Sequence, residues 1–441
     1  MIKKILLLSS LLFFAQTCFA MDINELNIEF FNRFNDENLN SYIQQALNNN
    51  HDLKKAEHVV EQYRQQVKYS LGKELPSFSV GANYLGIKVP ELDNFQLKDN
   101  AFILPFIANY EADLLLKNRD KTKAVKKSYD AAKSDEKAIY LALLSDVATV
   151  YTNILQYDDL IEKQAEVLKN QEEILERSNK KFERGIISTT ELNNAKKDVE
   201  TAESSLEKLK KERETAMMQL AVLTGNSSSN IAEMKFGTLE NFEYSGEIPE
   251  EISSEVIFAR PDVKASEAKL EKAKIDVRVA RKEFFPRFNI VGIWAFNTIA
   301  PGTFFSWESS LAAILAGATQ DIFKGGMKVA NLKIQKAKYE ELFEDFNQTN
   351  LEAVKEVNTA LCIIKHDKQI EENTKNELKL ETEILGNAQR KISQGVISEP
   401  EYLAEENRLI GTQTDYAQAK TQRIVNYFTL YKAVGGKLGV N

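Results

Sequence analysis

The chain has 441 residues and a formal net charge of −8, a balance that argues against nucleic acid as a partner. Composition is ordinary to polar, with 43% apolar and 28% charged residues, and the 8 prolines and 18 glycines suit long uninterrupted elements. Length alone predicts about three domains, a division that the internal pattern replaces.

The opening "MIKKILLLSSLLFFAQTCFA" reads as an export signal. Lys3 and Lys4 give a basic start, and Ile5 to Ala15 is an apolar core shorter than the roughly 20 residues of a bilayer span. Cys18 and Ala20 place small residues at −3 and −1 of a cut before Met21. Residues 1–20 are therefore assigned as a signal peptide. An anchor helix and a lipoprotein cut before Cys18 are the alternatives, though Ala15-Gln16-Thr17 lacks the usual upstream Leu. Removal of 1–20 takes away two lysines, leaving a charge of about −10. It leaves Cys362 as the only cysteine, so no intrachain disulfide is expected. No later stretch reads as a transmembrane helix.

A helix over 40–72 is expected next, ended by Pro76. "SFSVGANYLG" then alternates strictly, with Phe78, Val80, Ala82 and Tyr84 on one face and Ser77, Ser79, Gly81 and Asn83 on the other. Strands are predicted at about 77–87 and 101–114, with Pro105 marking a bulge or a strand end. From Phe106 to Arg184 there is no Gly or Pro. A helix over about 120–184 would run ~100 Å, with Ile139, Leu143, Val147, Val150 and Ile154 in a narrow coiled-coil-like stripe that cannot bury itself alone. "GIIS" at 185–188 turns the chain into a return helix of about 35 residues, and "GNSSSNIAEMKFGTLENFEYSGEIPE" follows as a linker.

The same order then recurs. Gly185 and Gly395, Ser188 and Ser398, Glu191 and Glu401, Pro76 and Pro286, Phe78 and Phe288 all stand 210 positions apart. The predicted division is a first repeat over 21–225, a linker over 226–249 and a second repeat over 250–441, each repeat running helix–strand–strand–long helix–helix. The second pair of strands falls at about 287–297 and 304–318. Tyr84 and Trp294 occupy the same repeat position, and both tryptophans, Trp294 and Trp307, lie in the β region, as membrane-interface aromatics do. Four membrane-length strands cannot close a barrel alone, because lipid satisfies no unpaired edge and single-chain barrels start at eight strands. The strands therefore require oligomerisation, or else no membrane insertion.

"ARPDVKASEAKL…ARKEFFPRFNI" (259–290), the two Gly turns and "YFTLYKAVGGK" (427–437) resemble the TolC-like outer-membrane efflux and secretion channels, over essentially all of the mature chain. One departure is Asn50-His51, where family members often have Asn-Pro. The resemblance implies a mainly α protein with membrane β: a homotrimer whose twelve-stranded barrel continues into a long helical periplasmic tunnel. It implies a seat in outer-membrane lipid, docking of a periplasmic adaptor at the hairpin tips and an inner-membrane pump behind the adaptor. The tips would be Gly185, Ile186, Ile187, Ser188 and Gly395, Val396, Ile397, Ser398. The family's gate acids fall six and nine positions past the second tip glycine, at Glu401 and Ala404; Glu405 stands one residue along, about 100° round the helix.

Chemistry is not expected. "GGKLG" lacks P-loop spacing, there is no CxxC or HExxH, and the three histidines (51, 58 and 366) form no metal pattern. No enzyme activity or cofactor is predicted, and transport energy must come from elsewhere. The rival reading is a soluble periplasmic coiled-coil adaptor or scaffold, whose strands would form a soluble sandwich.

Overall fold

The three long helices of the first copy recur in the second at the same lengths. The computed structural model describes residues 28–88, 98–298 and 307–438. The signal segment 1–20 with Cys18, and the start of the last expected strand at 304–306, lie outside the described residues. The first copy comprises α1 (Glu29–Asn32), α2 (Glu37–Asn49), α3 (His51–Gly72), β1 (Ser77–Val80), β2 (Asn83–Lys88), β3 (Lys98–Ala112), α4 (Lys117–Glu183) and α5 (Thr189–Leu223). The second comprises α6 (Ser254–Phe258), α7 (Pro261–Lys282), β4 (Arg287–Thr298), β5 (Ser310–Thr319), α8 (Met327–Ser393) and α9 (Glu399–Ala433). α3 and α7 have 22 residues each, α4 and α8 have 67, and α5 and α9 have 35.

The first helix of each copy, expected as one rod (over 40–72 in the first copy), is broken at equivalent points. Asn50 turns to ψ 130°, and its Oδ1 accepts the Leu53 N–H at 2.9 Å. Its Nδ2 donates to the Leu223 carbonyl at 3.0 Å, which ties the end of α5 to the break. In the second copy Arg260 has ψ 145°, because the ring of Pro261 disfavours helical backbone in the residue before it. An asparagine cap thus does in one copy what a proline does in the other.

The strands form one antiparallel sheet in the order β1/β2, β3, β4, β5, so β3–β4 pairing joins the two repeats. β3 runs straight through Pro105, against the expected bulge or strand end. The irregularity falls instead on the neighbouring strand. The register is unchanged between Val80 opposite Phe106 and Asn83 opposite Ile103. Between them Gly81 N–H donates to Pro105 O at 2.9 Å, but Pro105 has no N–H to return. β1 and β2 are one ribbon with half a rung missing. Trp307 lies in a 3-10 turn, Trp307–Ser309, and the last strand begins at Ser310, later than the expected 304–318.

One face of the sheet is apolar across all strands. Val80, Phe106, Trp294 and Ala312 stand in one row, and Tyr84 pairs with Phe102, their rings 5.1 Å apart. Trp294 and Phe106 have ring centroids 6.1 Å apart.

The main core lies midway along α4. The stretch after the signal sends Phe30, Phe31 and Phe34 into it, against Phe428 and Tyr431 of α9 and Tyr151 of α4. Residues 226–249 also enter it. Leu239, Phe242 and Tyr244 are buried there, and Phe34 stacks on Phe242 at 4.9 Å. The Lys420 ammonium donates to the Leu239 and Glu240 carbonyls at 2.8 and 2.9 Å, and the Gly237 N–H donates to the Tyr151 hydroxyl at 3.0 Å. This connecting stretch is a packed strap. Phe428 is fully buried at its centre, so Phe428→Ala should cost about 3–5 kcal/mol, checked as an earlier loss of helical circular dichroism on denaturant titration.

Candidate functional site

The hairpin tips follow from three residues each. The reversal needs left-handed backbone, which glycine adopts without penalty, and Gly185 and Gly395 have φ of 67° and 70°. The Gly185 N–H donates to Phe182 O and the Ile186 N–H to Lys181 O, at 2.8 and 2.9 Å. Gly395 and Val396 repeat the pattern on Ile392 O and Lys391 O at 3.0 and 2.9 Å. This is the Schellman closure of a helix end. Ser188 and Ser398 then start α5 and α9 with capping boxes: each serine N–H donates to the carboxylate three residues on, Glu191 or Glu401, at 2.7 Å. Those backbone hydrogen bonds hold both carboxyl groups below the usual carboxylate range.

The turns leave one apolar side chain at each tip facing solvent. Ile186 is 64% exposed and Val396 66%, while Ile187 and Ile397 are half-buried. The capping boxes account for the serines and glutamates, but nothing in either turn uses Ile186 or Val396.

Glu401 is placed in its capping box, and Glu405 forms an ion pair with Arg408 at 3.0 Å. Sequence reasoning missed the links between the two hairpins. Arg177 near the end of α4 meets Glu399 of α9 at 2.6 Å. The nearly buried Asn170 donates to Glu406 at 3.0 Å and Asn407 at 2.9 Å. These partners lie in different repeats, and no local spacing announces them. At the other end Tyr84, Trp294 and Trp307 are all exposed.

The joint between sheet and helices is electrostatic. Asp120, only 5% exposed, accepts from the Arg278 guanidinium at 2.7 and 2.9 Å and from the Lys282 ammonium at 2.5 Å. Burial alone would raise its pKa, but these two donors outweigh burial and lower it.

A sheet with an apolar face, carried on helices ~100 Å long that end in exposed tips, is the architecture expected of an outer-membrane channel. The chain matches the family model described as "Outer membrane efflux protein" over residues 42–226 and 252–436. It is 25% identical over 410 residues to the probable outer membrane lipoprotein SilC of Salmonella typhimurium, covering 92% of this chain and 87% of that protein. It is 24% identical over 404 residues to the cation efflux system protein CusC of Escherichia coli K12, covering 91% and 87%. The crystal structure of the CmeC outer membrane channel of Campylobacter jejuni superposes with a TM-score of 0.87 at 25% identity, covering 94% of this chain and 89% of that one. The chain belongs to the outer membrane efflux protein family and resides in the outer membrane. The soluble scaffold reading gives way to this, and the family's members are efflux channels rather than enzymes.

Proposed function

We propose that the protein is the passive exit duct of a tripartite efflux or type I secretion system, working as a homotrimer. The observation that carries this is the open sheet. Among the described residues, β1/β2 and β5 each pair on one side only, which lipid does not tolerate. Three copies joined edge to edge would close twelve strands. The same joining would cover the apolar residues that α8 leaves exposed, among them Ile334, Leu351, Ile370 and Leu380.

In this reading residues 1–20 are removed on export. The repeats 21–225 and 250–441, with 226–249 between them, enclose one tunnel. Tyr84, Trp294 and Trp307 sit at the membrane interface. The tips at Gly185–Ser188 and Gly395–Ser398 receive a periplasmic adaptor, which couples the duct to an inner-membrane pump, the source of energy.

The links Arg177–Glu399 and Asn170–Glu406/Asn407 pin the α8/α9 hairpin to the α4/α5 hairpin and hold the periplasmic mouth narrow. Glu401 and Glu405 are the acidic groups at that mouth, and three copies of each would favour cations there. Purified protein in a planar lipid bilayer is the test. A detergent-resistant trimer with single-channel conductance supports the duct, and a lone subunit that never inserts rejects it. The double variant Asn170→Ala/Arg177→Ala should raise that conductance several-fold; an unchanged conductance would remove the pins from the gate.

A further inference from the structure

α3, α4, α7 and α8 lie side by side, and each turns one stripe of residues towards a shared groove of about 670 Å³, the size of a site for a drug-sized molecule. Ala56, Ala132 and Ala273 form its floor, with Val59, Ile139 and Leu342 along its walls. Most of the charges around it are answered or solvated. Lys269 pairs with Asp135 at 3.4 Å and Lys272 with Asp276 at 2.7 Å, while Asp52, Lys55 and Lys338 stand exposed.

Glu136 differs from these. It lines the groove, is only 7% exposed, and makes no hydrogen bond or ion pair with any described residue. Lys133 and Lys137 on its own helix and Glu57 across on α3 are the charges that act on it, and burial followed by Glu57 raises its pKa. A buried carboxyl group without a hydrogen-bonded partner is costly, and an incoming counter-charge relieves that cost.

We propose that this groove is a cargo subsite for amphipathic organic cations, with the cationic nitrogen seated on the Glu136 carboxylate and the apolar body laid along the alanine floor. The inference deepens the duct reading and rests on it, since the groove must face the tunnel. The alanines matter as much as the acid: their small side chains leave room for a flat ring system, and the walls supply apolar contact on both sides.

Ethidium, a flat aromatic cation, is the probe, titrated against the full-length trimer in detergent and followed by fluorescence polarisation. Saturable binding is expected, weakened at least tenfold in Glu136→Gln and kept within threefold in Glu136→Asp, which preserves the charge. An anionic aromatic dye, anilinonaphthalene sulfonate, should neither compete nor distinguish the variants. Equal ethidium affinity in wild type and Glu136→Gln, or equal competition by the anionic dye, overturns the proposal. Bilayer conductance, measured on the same preparations, keeps the two readings apart. A conducting trimer with Glu136-independent ethidium binding removes only the subsite, whereas a wild-type preparation that never conducts removes the duct itself.

Discussion

Cells whose channel carries Ile186→Glu together with Val396→Glu should lose efflux completely, retaining cargo as a strain without the channel does. Both side chains are two-thirds exposed and nothing in the turn holds them, so the double variant should reach the outer membrane at normal abundance. Burying an aliphatic side chain of this size is worth about 1.5–3 kcal/mol, and a carboxylate driven into the same contact adds a desolvation cost. Two such losses would weaken the proposed docking on the order of 100-fold or more, and more again if three copies of each tip act together, as the proposed trimer implies. Adaptor co-purification measures this directly. Gly185 and Gly395 must stay intact in the test, because a change there disturbs the backbone and confuses loss of shape with loss of contact. Wild-type adaptor recovery with the double variant would end the docking assignment.

The second large effect is expected where the helices meet the sheet. Asp120→Ala leaves the Arg278 and Lys282 cations without the carboxylate that both contact. Lys282 is largely covered but Arg278 is half exposed, so loss of their shared carboxylate should cost about 1.5–3 kcal/mol, the scale of hydrogen bonds to charged groups. The proposed trimer should therefore separate at a lower temperature in detergent gels. Acid should act in the same direction. The Asp120 pKa is lowered in the folded protein, so its contribution is complete above the ordinary carboxylate range and fades as pH falls through the lowered value. Wild type should lose heat resistance in that acidic window, and Asp120→Ala should show a smaller pH dependence there. Unchanged heat resistance in Asp120→Ala would show that the cluster carries no stability.

How much of this could be read from the sequence depends on whether the signal is local. The two Gly–Ile/Val–Ile–Ser turns were legible because the left-handed glycine, the serine cap and the glutamate at the third helical position all lie within seven residues, twice. The apolar face of the sheet was legible because alternation in "SFSVGANYLG" needs no knowledge of the partner strand. Pro105 was noticed, but its consequence was misplaced: the missing donor damages the neighbouring ribbon, not the strand that contains the proline. The break at Asn50 was hidden because asparagine inside a helical stretch is unremarkable until its side chain finds Leu53 N–H and Leu223 O. Phe242 and Tyr244 were overlooked inside a Ser-, Asn- and Gly-rich segment whose composition suggests a loop, although two aromatics in such a segment ask for a place to be buried. The pins at Asn170 and Arg177 were out of reach. Their partners lie more than two hundred residues away, and many polar residues on those helices look the same.

The equal lengths of the two hairpins have a consequence for how such a chain can change. In the proposed duct, both 67-residue helices and both 35-residue returns would act as rulers set against the width of the compartment they cross. A four-residue insertion in α4 alone would push its turn about 6 Å beyond its counterpart, so that the two proposed docking tips would no longer lie level. Any descendant spanning a wider or narrower gap must therefore gain or lose whole helical turns in both halves together, with matching changes on the outgoing and returning arms.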